Sequence, residues 1–517
     1  MITKQLIEPK SIVVVGGSDD IHKPGGTVLR NLQDGNFKGE LYVVNPKMDE
    51  VQGVKSYRDV KDLPQVDCAI LAIAAKFCPA AVEVLAKQKN TKAFIILSAG
   101  FHEENEEGAK LERQIVDTID SVGGALIGPN CIGVLTNHYS GVFTSPIPEL
   151  NPQGVDLISG SGATALFIMD SGMQKGIKFN SMYSVGNSAQ MGVEEILEYM
   201  DESFDPETSS RVKLLYVESI EKPEKLLKHA SSLIRKGCRI AAVKSGGSVA
   251  GSRAASSHTG ALASSDVAVE ALFRKAGIVR CNGRDELMTV AGIFMHPEVK
   301  GKNMAVVTHA GGPAVMLTDA LSNGGMDVPH IEGEKAKELL SKLFGGSSVG
   351  NPIDFLATGT AEQLGFILDA CDKDFDNIDG MAVIFGSPGL FPVFDVYNVL
   401  DEKMKTSKKP IFPIFPSSKI VKAEIDEFVS KGRVYFPDEV LFGNALCKIY
   451  KTPAPQPEHF DMPDMDVKKI REVVDNAQNG YLSPEEIHAL LDAAGVARAK
   501  EGVSDNEEEI VKMAKEI

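Results

Sequence analysis

One histidine in this chain has neighbours suited to phosphoryl chemistry. His258 lies in the run Lys244-Ser245-Gly246-Gly247-Ser248-Val249-Ala250-Gly251-Ser252-Arg253-Ala254-Ala255-Ser256-Ser257-His258-Thr259-Gly260-Ala261-Leu262-Ala263, which combines small residues with an ammonium and a guanidinium. A neutral imidazole can attack an activated phosphoryl group, and a nearby carboxylate fixes its tautomer and supports the developing cation. Glu218, directly after the apolar run Leu214–Val217, is the candidate carboxylate. The histidine is expected directly before a helix. A lone histidine is more often structural, so the reading leans on the rest of the chain. The other histidines fall in no metal-ligand spacing, and no metal site is expected.

Three loops share one pattern of apolar strand, Gly/Ser-rich turn and helix. They are Val13-Val14-Val15-Gly16-Gly17-Ser18, Leu157-Ile158-Ser159-Gly160-Ser161-Gly162-Ala163 and Val306-Val307-Thr308-His309-Ala310-Gly311-Gly312-Pro313. Small residues there let backbone N–H groups face an anion beside a helix N-terminus; the plain alternative is tight-turn chemistry. The first loop does not match G-x-G-x-x-G. Where a nicotinamide site needs an acid after the second strand, this chain has Asn45-Pro46-Lys47. Lys47 could pair with the phosphate of a different nucleotide, or it is simply a solvated lysine.

The elements that must position these residues alternate strand and helix, which predicts parallel sheets with crossover helices. Strands are expected at Ser11–Val15, Leu41–Val44, Cys68–Ile73, Ala93–Leu97 and Ala125–Ile127, then at Val155–Ser159, Leu214–Val217, Ile240–Val243 and Ile278–Arg280, and finally at Met304–Thr308, Met381–Phe385 and Ile411–Ile414. A helix beginning near Gly26 would put Val28, Leu29 and Leu32 on one face. A polar, proline-bearing stretch from Thr452 to Asp466 reads as a linker. Beyond it, Ser483-x-x-Glu486 and Ser504-x-x-Glu507 read as capping boxes. The last helix stripe, Ile510, Met513, Ala514 and Ile517, ends with the chain, which implies a cut inside a further domain.

Composition narrows the partners. The 517 residues are 43% hydrophobic and 24% charged with a net charge of −17, which argues against a nucleic-acid groove or an anionic-membrane patch while allowing a local basic pocket. No apolar run approaches a membrane span, and the N-terminus lacks a signal-peptide core. Seven scattered cysteines without any C-x-x-C fit a reducing, cytoplasmic setting.

The segment Ser256-Ser257-His258-Thr259-Gly260-Ala261-Leu262-Ala263 resembles the phosphohistidine segment of nucleoside-diphosphate-forming acyl-CoA synthetases, of the ADP-forming acetyl-CoA synthetase type, and more distantly the succinyl-CoA synthetase alpha subunit. The resemblance covers most of the chain. Val44-Asn45-Pro46-Lys47, Ser98-Ala99-Gly100-Phe101, Gly128-Pro129-Asn130-Cys131-Ile132-Gly133, Ser159-Gly160-Ser161-Gly162-Ala163, Val185-Gly186-Asn187, Ala310-Gly311-Gly312-Pro313 and Asn351-Pro352-Ile353-Asp354 recur in the family's order.

The resemblance implies an α/β protein: a Rossmann-like CoA-binding domain at 1–135, a ligase domain carrying the phosphohistidine at 150–292, and a second flavodoxin-like ligase domain at 300–451. A linker at 452–480 and the incomplete start of an ATP-grasp domain at 481–517 would follow. It implies CoA binding through Gly16, Ser18, Asn45, Pro46, Lys47, Ser98, Ala99, Gly100 and Asn130, with Ser18 and Lys47 on CoA phosphates and Ser98-Ala99-Gly100 beside the pantetheine arm. His258 would carry the phosphoryl group with Glu218 in support, and Gly160, Ser161, Gly162, Gly311 and Gly312 would surround the phosphate. Leu166, Phe143 and Val185 are candidates for the acyl pocket wall. ATP or ADP with Mg²⁺ would bind mostly in the missing domain, so this chain would reach phosphohistidine only. The implied partners are acyl-CoA, carboxylate, phosphate, an ATP-grasp domain or subunit, and further copies of the chain. Three positions depart from the family pattern: His309 stands where Asn is common, Ser188-Ala189-Gln190-Met191-Gly192 replaces a more acidic stretch, and Gly246-Gly247 stands where an arginine often follows the glycine. Two other readings are an acyl-CoA-sensing module related to regions of protein acetyltransferases and an NAD-dependent dehydrogenase. The dehydrogenase would leave two of the three loops without a role.

Overall fold

The structure, a computed structural model, describes residues 2–35, 37–259, 264–387, 392–457, 464–499 and 501–516, without the side chains of 256–259. The chain forms two compact units, Met1–Gln456 and Pro457–Ile517.

The first unit holds three sheets. Strands β1 (Ser11–Val15), β2 (Glu40–Val44), β3 (Glu50–Val51), β4 (Val54–Tyr57), β5 (Cys68–Leu71), β6 (Ala93–Ile96) and β7 (Ala125–Ile127) pair in the order β3-β4-β2-β1-β5-β6-β7. All pairs are parallel except β3–β4. β1 is buried along its whole length, which explains its unbroken apolar run. The helix Pro24–Asp34 follows it, opened by a proline and burying Val28, Leu29 and Leu32 as the periodicity predicts.

The second sheet contains β8 (Gly133–Leu135), β9 (Ser140–Val142), β10 (Leu150–Ser159), β11 (Phe179–Ser184), β12 (Val212–Val217), β13 (Arg239–Lys244) and β14 (Val279–Cys281), in the order β14-β13-β12-β10-β11-β8-β9. β8 is antiparallel to β11, so Gly133–Leu135, at the end of the stretch expected as the first domain, joins the second sheet, with β9 at the edge beyond it. β11 escapes the apolar-run signal because it carries serines whose hydroxyls are satisfied by partners distant in sequence. The Ser181 hydroxyl donates to Asp156 at 2.6 Å, and Ser184 Oγ accepts from the Ile132 N–H at 3.2 Å. The third sheet is parallel, with β15 (Met304–Thr308), β16 (Ile353–Asp354), β17 (Gly380–Ile384) and β18 (Ile411–Ile414) in the order β16-β15-β17-β18.

Shared cores join the sheets. Leu29, Tyr139, Ile158, Tyr183 and Leu215 belong to one continuous apolar cluster. Leu157, Leu287, Val306, Phe412 and Phe436 belong to another. His296 lies in the second of these junctions. Its ring centroid is 5.0 Å from that of Phe412 and 5.7 Å from that of Phe436. Nδ1 donates to the Gly292 carbonyl at 2.8 Å, while Nε2 is buried without a hydrogen-bond partner. Burial pulls its pKa from 6.5 down to about 4, with Arg433 and Arg239 adding repulsion. The unfolded chain therefore takes up this proton first as pH falls, and stability is lost between the unfolded and folded values. Acidification from pH 7.5 to 5 is expected to cost about 2 kcal/mol through this group. His296→Phe should remove that part of the acid dependence, read as the urea midpoint by circular dichroism. An equal acid shift in both proteins would contradict the assignment.

The stretch expected as a linker is not bare. Gln456 donates its N–H to the Lys275 carbonyl at 3.0 Å, and Val467–Asn476 is a helix capped by Asp466. In the second unit Ser483 and Glu486 form the expected reciprocal capping box. The Ser504–Glu507 box does not form. The helix starts at Glu507, the Ser504 hydroxyl donates to Glu509 at 2.6 Å, and Asn506 Oδ1 accepts from the Glu508 N–H instead.

Candidate functional site

In a parallel sheet, ligands gather at the C-terminal strand ends, and the crevice opens where the strand order reverses. All the candidate CoA residues lie at such ends of the first sheet: Gly16 and Ser18 after β1, Asn45–Lys47 after β2, Ser98–Gly100 after β6 and Asn130 after β7. Gly16 has φ +89°, and a Cβ there would lie 2.6 Å from the Ala72 carbonyl oxygen, so the turn at this switch point admits only glycine. Asn45 ties the neighbouring loop to it, donating to the Gly17 carbonyl at 2.8 Å while Oδ1 accepts from the Lys47 N–H at 2.9 Å. Arg58 holds the Pro46 carbonyl at 2.8 Å. The Lys47 side chain is exposed and makes no ion pair with any described residue. Gln52 escaped the sequence reading, since a lone Gln in a short hairpin carries no signal. Its amide donates to the carbonyls of Ser18 and Gly26 at 2.7 and 2.9 Å and so pins the first loop.

The second sheet presents a small cleft of about 60 Å³, lined by Gly160 after β10, Val185–Ser188 after β11 and Val217–Ser219 after β12, with His102, Glu194, Glu195 and Lys222. Glu218 is half-buried here and accepts from the Tyr216 hydroxyl at 3.4 Å. Lys222 pairs with Glu195 at 2.8 Å. Burial alone would raise the Glu195 pKa, but bonds from Lys222, the Gly192 N–H and Lys225 hold it below the usual carboxylate range.

His258 is the next-to-last residue of the helix Val249–Thr259, so it lies within a helix and not before one. Ser248 Oγ accepts from the Gly251 N–H at 3.0 Å, and the alanines favour the turn that follows. The imidazole and residues 260–263 fall outside the described residues, but both ends of the segment are anchored. Lys244 Nζ donates to the Gly246 carbonyl at 2.9 Å. At the far end, Ser264 Oγ accepts from the Ile220 N–H at 3.0 Å, two residues past Glu218. Arg280 holds Asp266 at 2.5 Å and Glu270 at 2.9 Å.

The two ligase-type loops repeat one construction. Ser159 Oγ donates to the Ser161 carbonyl and accepts its N–H, and Thr308 Oγ1 does the same with Ala310. Ser161 then caps the helix Gly162–Gln174, and Gly311 and Gly312 open the helix Gly311–Asn323. Gly160 lines the cleft, whereas Ser161, Gly162, Gly311 and Gly312 do not. Of the acyl-pocket candidates, Val185 lines it, while Phe143 and Leu166 pack against the core. His309 stacks on Phe385 at 4.4 Å, and burial lowers its pKa.

A network joins the first and second sheets at this cleft. The Asn187 amide donates to Glu103 at 2.5 Å and to Glu112 at 3.3 Å, and Asn187 Oδ1 accepts from Asn130 at 3.4 Å. Glu103 in turn accepts the Gly100 N–H at 2.7 Å. Burial opposes its charge, but these bonds prevail and lower its pKa.

A family model described as a CoA binding domain matches residues 10–137, and one described as a succinyl-CoA ligase like flavodoxin domain matches residues 152–294. The chain is 34% identical over 432 residues to the ADP-forming acetate–CoA ligase II subunit alpha of Pyrococcus furiosus, an alignment covering 82% of this chain and 92% of that one. The chain belongs to the ADP-forming acyl-CoA synthetases. It is also 34% identical over 379 residues to the ADP-forming acetate–CoA ligase I of Archaeoglobus fulgidus, covering 73% of this chain but 54% of that one, so it spans about half that relative's length. Among solved structures it resembles acetyl-coenzyme A synthetase 1 of Ca. Korarchaeum cryptofilum in complex with phosphate and ADP, with TM-score 0.77, 26% identity, and coverage of 86% of this chain and 96% of that one. The α/β synthetase fold thus accounts for all three sheets. Among the described residues of this synthetase chain, no helix is long and apolar enough to cross a membrane.

Proposed function

We propose that this chain performs the CoA and phosphohistidine half of a reversible reaction, acyl-CoA + phosphate + ADP or GDP ⇌ carboxylic acid + CoA + ATP or GTP. Phosphate attacks the thioester carbon, the C–S bond breaks, and CoA leaves. The resulting acyl phosphate passes its phosphoryl group to His258, releasing the carboxylate. Glu218 holds one imidazole nitrogen and offsets the cation, leaving the other nitrogen to attack phosphorus. The observation that carries this reading is the Ser264–Ile220 bond, which holds the end of the His258 segment against the loop bearing Glu218. The Gly160–Gly162 and Gly311–Gly312 turns supply helix N-termini for the phosphate, as their shared construction supports.

CoA binds across the C-terminal edge of the first sheet, with Ser18 and Lys47 at its phosphates and Ser98-Ala99-Gly100 along the pantetheine arm. The fit rests on a glycine-only turn at the switch point and on Lys47, which makes no ion pair among the described residues. The diphosphate step belongs to an ATP-grasp domain or subunit, where Mg²⁺ would neutralise the nucleotide phosphates. Residues 481–517 are proposed as the start of such a domain, and the setting is cytoplasmic.

Two measurements test this reading. Acyl-CoA and phosphate should yield acyl phosphate, trapped as a hydroxamate by hydroxylamine; binding of acyl-CoA without turnover would favour a sensing module. Lys47→Ala should weaken CoA by about 1.5–3 kcal/mol, roughly tenfold or more in calorimetry. It should leave His258 phosphorylation by acyl phosphate nearly unchanged. Equal affinity for CoA would return Lys47 to a solvated surface role.

A further inference from the structure

We propose that Glu194 is a positioning residue for phosphoryl transfer, acting through the loop that carries Glu218. The inference rests on the reading of function above and deepens it, since it names what holds the supporting carboxylate in place. That loop, residues 218–222, joins β12 to the helix Pro223–Arg235. Three of its successive N–H groups go to side chains of other elements. Ile220 donates to Ser264 Oγ at 3.0 Å, and Glu221 and Lys222 both donate to Glu194 Oε1, at 2.9 and 3.1 Å. Pro223, next in line, has no N–H to give. Lys222, at the N-cap of that helix, supplies no side-chain cap bond of its own. The loop is thus held from two sides, by the far end of the His258 segment and by Glu194.

The place of Glu194 in the fold suits it to this work. It is the second residue of the helix Val193–Glu202, which follows β11, and it is only 5% exposed. A buried carboxylate persists only where hydrogen bonds replace its water, and N–H bonds to an ionised acceptor are stronger than neutral ones. Its neighbour Glu195 is committed elsewhere. Glu195 Oε2 accepts the Gly192 N–H at 2.9 Å, and Oε1 meets Lys222 and Lys225 at 2.8 and 3.1 Å. Glu195 therefore closes the start of its own helix and holds two lysine side chains, while Glu194 grips the backbone of the loop. Both acids line the cleft with Glu218.

The consequence is geometric. A catalytic group misplaced by about 1 Å through a change elsewhere can cost ~10²-fold in rate. Without the Glu194 carboxylate, the N–H groups three and four residues past Glu218 lose their acceptor, and the loop is left to Ser264 and the Lys222–Glu195 pair. Glu218 then spends less of its time where it can hold the imidazole. The loss belongs to the rate of transfer and not to the binding of acyl phosphate.

The test is a double-mutant cycle on the 517-residue chain, reading single-turnover phosphorylation of His258 by acetyl phosphate. Glu194→Ala should slow the maximal rate ~10-fold or more and leave the half-saturating acetyl phosphate concentration within about twofold of the parent. Glu194→Gln keeps an acceptor of the same reach and should regain most of that rate. In the Glu218→Gln background, Glu194→Ala should cost no more than about twofold further, because the residue through which it acts is already disabled. If alanine unfolds the chain, read by circular dichroism, Glu194→Asp carries the same prediction, since it keeps the charge and withdraws the oxygen by one methylene. A parental rate in these variants, a loss as large in Glu194→Gln as in Glu194→Ala, or an equal fold-loss in both backgrounds overturns the proposal. A Glu218→Gln chain that phosphorylates His258 at the parental rate overturns the reading of Glu218 itself, and the proposal with it.

Discussion

Replacing His258 with alanine is expected to abolish phosphorylation of this chain by acyl phosphate while CoA still binds. The effect should be a full loss, since no neighbouring nucleophile substitutes for an imidazole. The serines at 256 and 257 form stable esters and not the phosphoramidate that can pass its phosphate on. The phosphoprotein formed by the parent should be acid-labile and base-stable. CoA binding belongs to the first sheet, some 200 residues away in the chain, and should be unchanged in calorimetry. Labelling that survives the substitution would show that another group accepts the phosphate.

The second large effect is expected from Glu218→Gln. The amide keeps the size, loses the charge, and can present an N–H that favours the wrong imidazole tautomer. Phosphorylation of His258 in a single turnover should slow by ~10²-fold or more, the scale of a lost electrostatic partner. CoA affinity should not move. The competing role, a surface pair with Lys222, predicts a rate within a few-fold of the parent. The structure speaks against that role, because Lys222 is engaged by Glu195. A near-parental rate would mean that another carboxylate supports the histidine, and Glu194 and Glu195 in the same cleft would be the next to change.

How far these residues could be read from the sequence depends on what kind of signal each one leaves. Strands buried on both faces, such as Ser11–Val15 and Met304–Thr308, are continuous apolar runs and were expected at their observed bounds. Phe179–Ser184 was missed because two of its serines are paid for by partners distant in sequence, Asp156 and Ile132, which no local pattern reveals. The same limit applies to the site. The position of Glu218 at the mouth of the second sheet was legible because it follows an apolar strand, where parallel sheets collect their ligands. His102 was not. Its neighbours Glu112 and Asn187 are 10 and 85 residues away, and only the packing of the first sheet's loops against the second brings them together. Ser504 shows the converse error: the four-residue pattern of a capping box was present, but Asn506 is the better acceptor and starts the helix two residues later.

The central claim is that a CoA thioester and phosphate together load His258. Its most direct test is to incubate the chain with acyl-CoA and ³²P-labelled phosphate and map the label by peptide mass spectrometry. The account predicts acid-labile label on His258, dependent on both the thioester and phosphate and absent when free CoA replaces acyl-CoA. Label on another residue, or none from a chain that binds acyl-CoA, would contradict it.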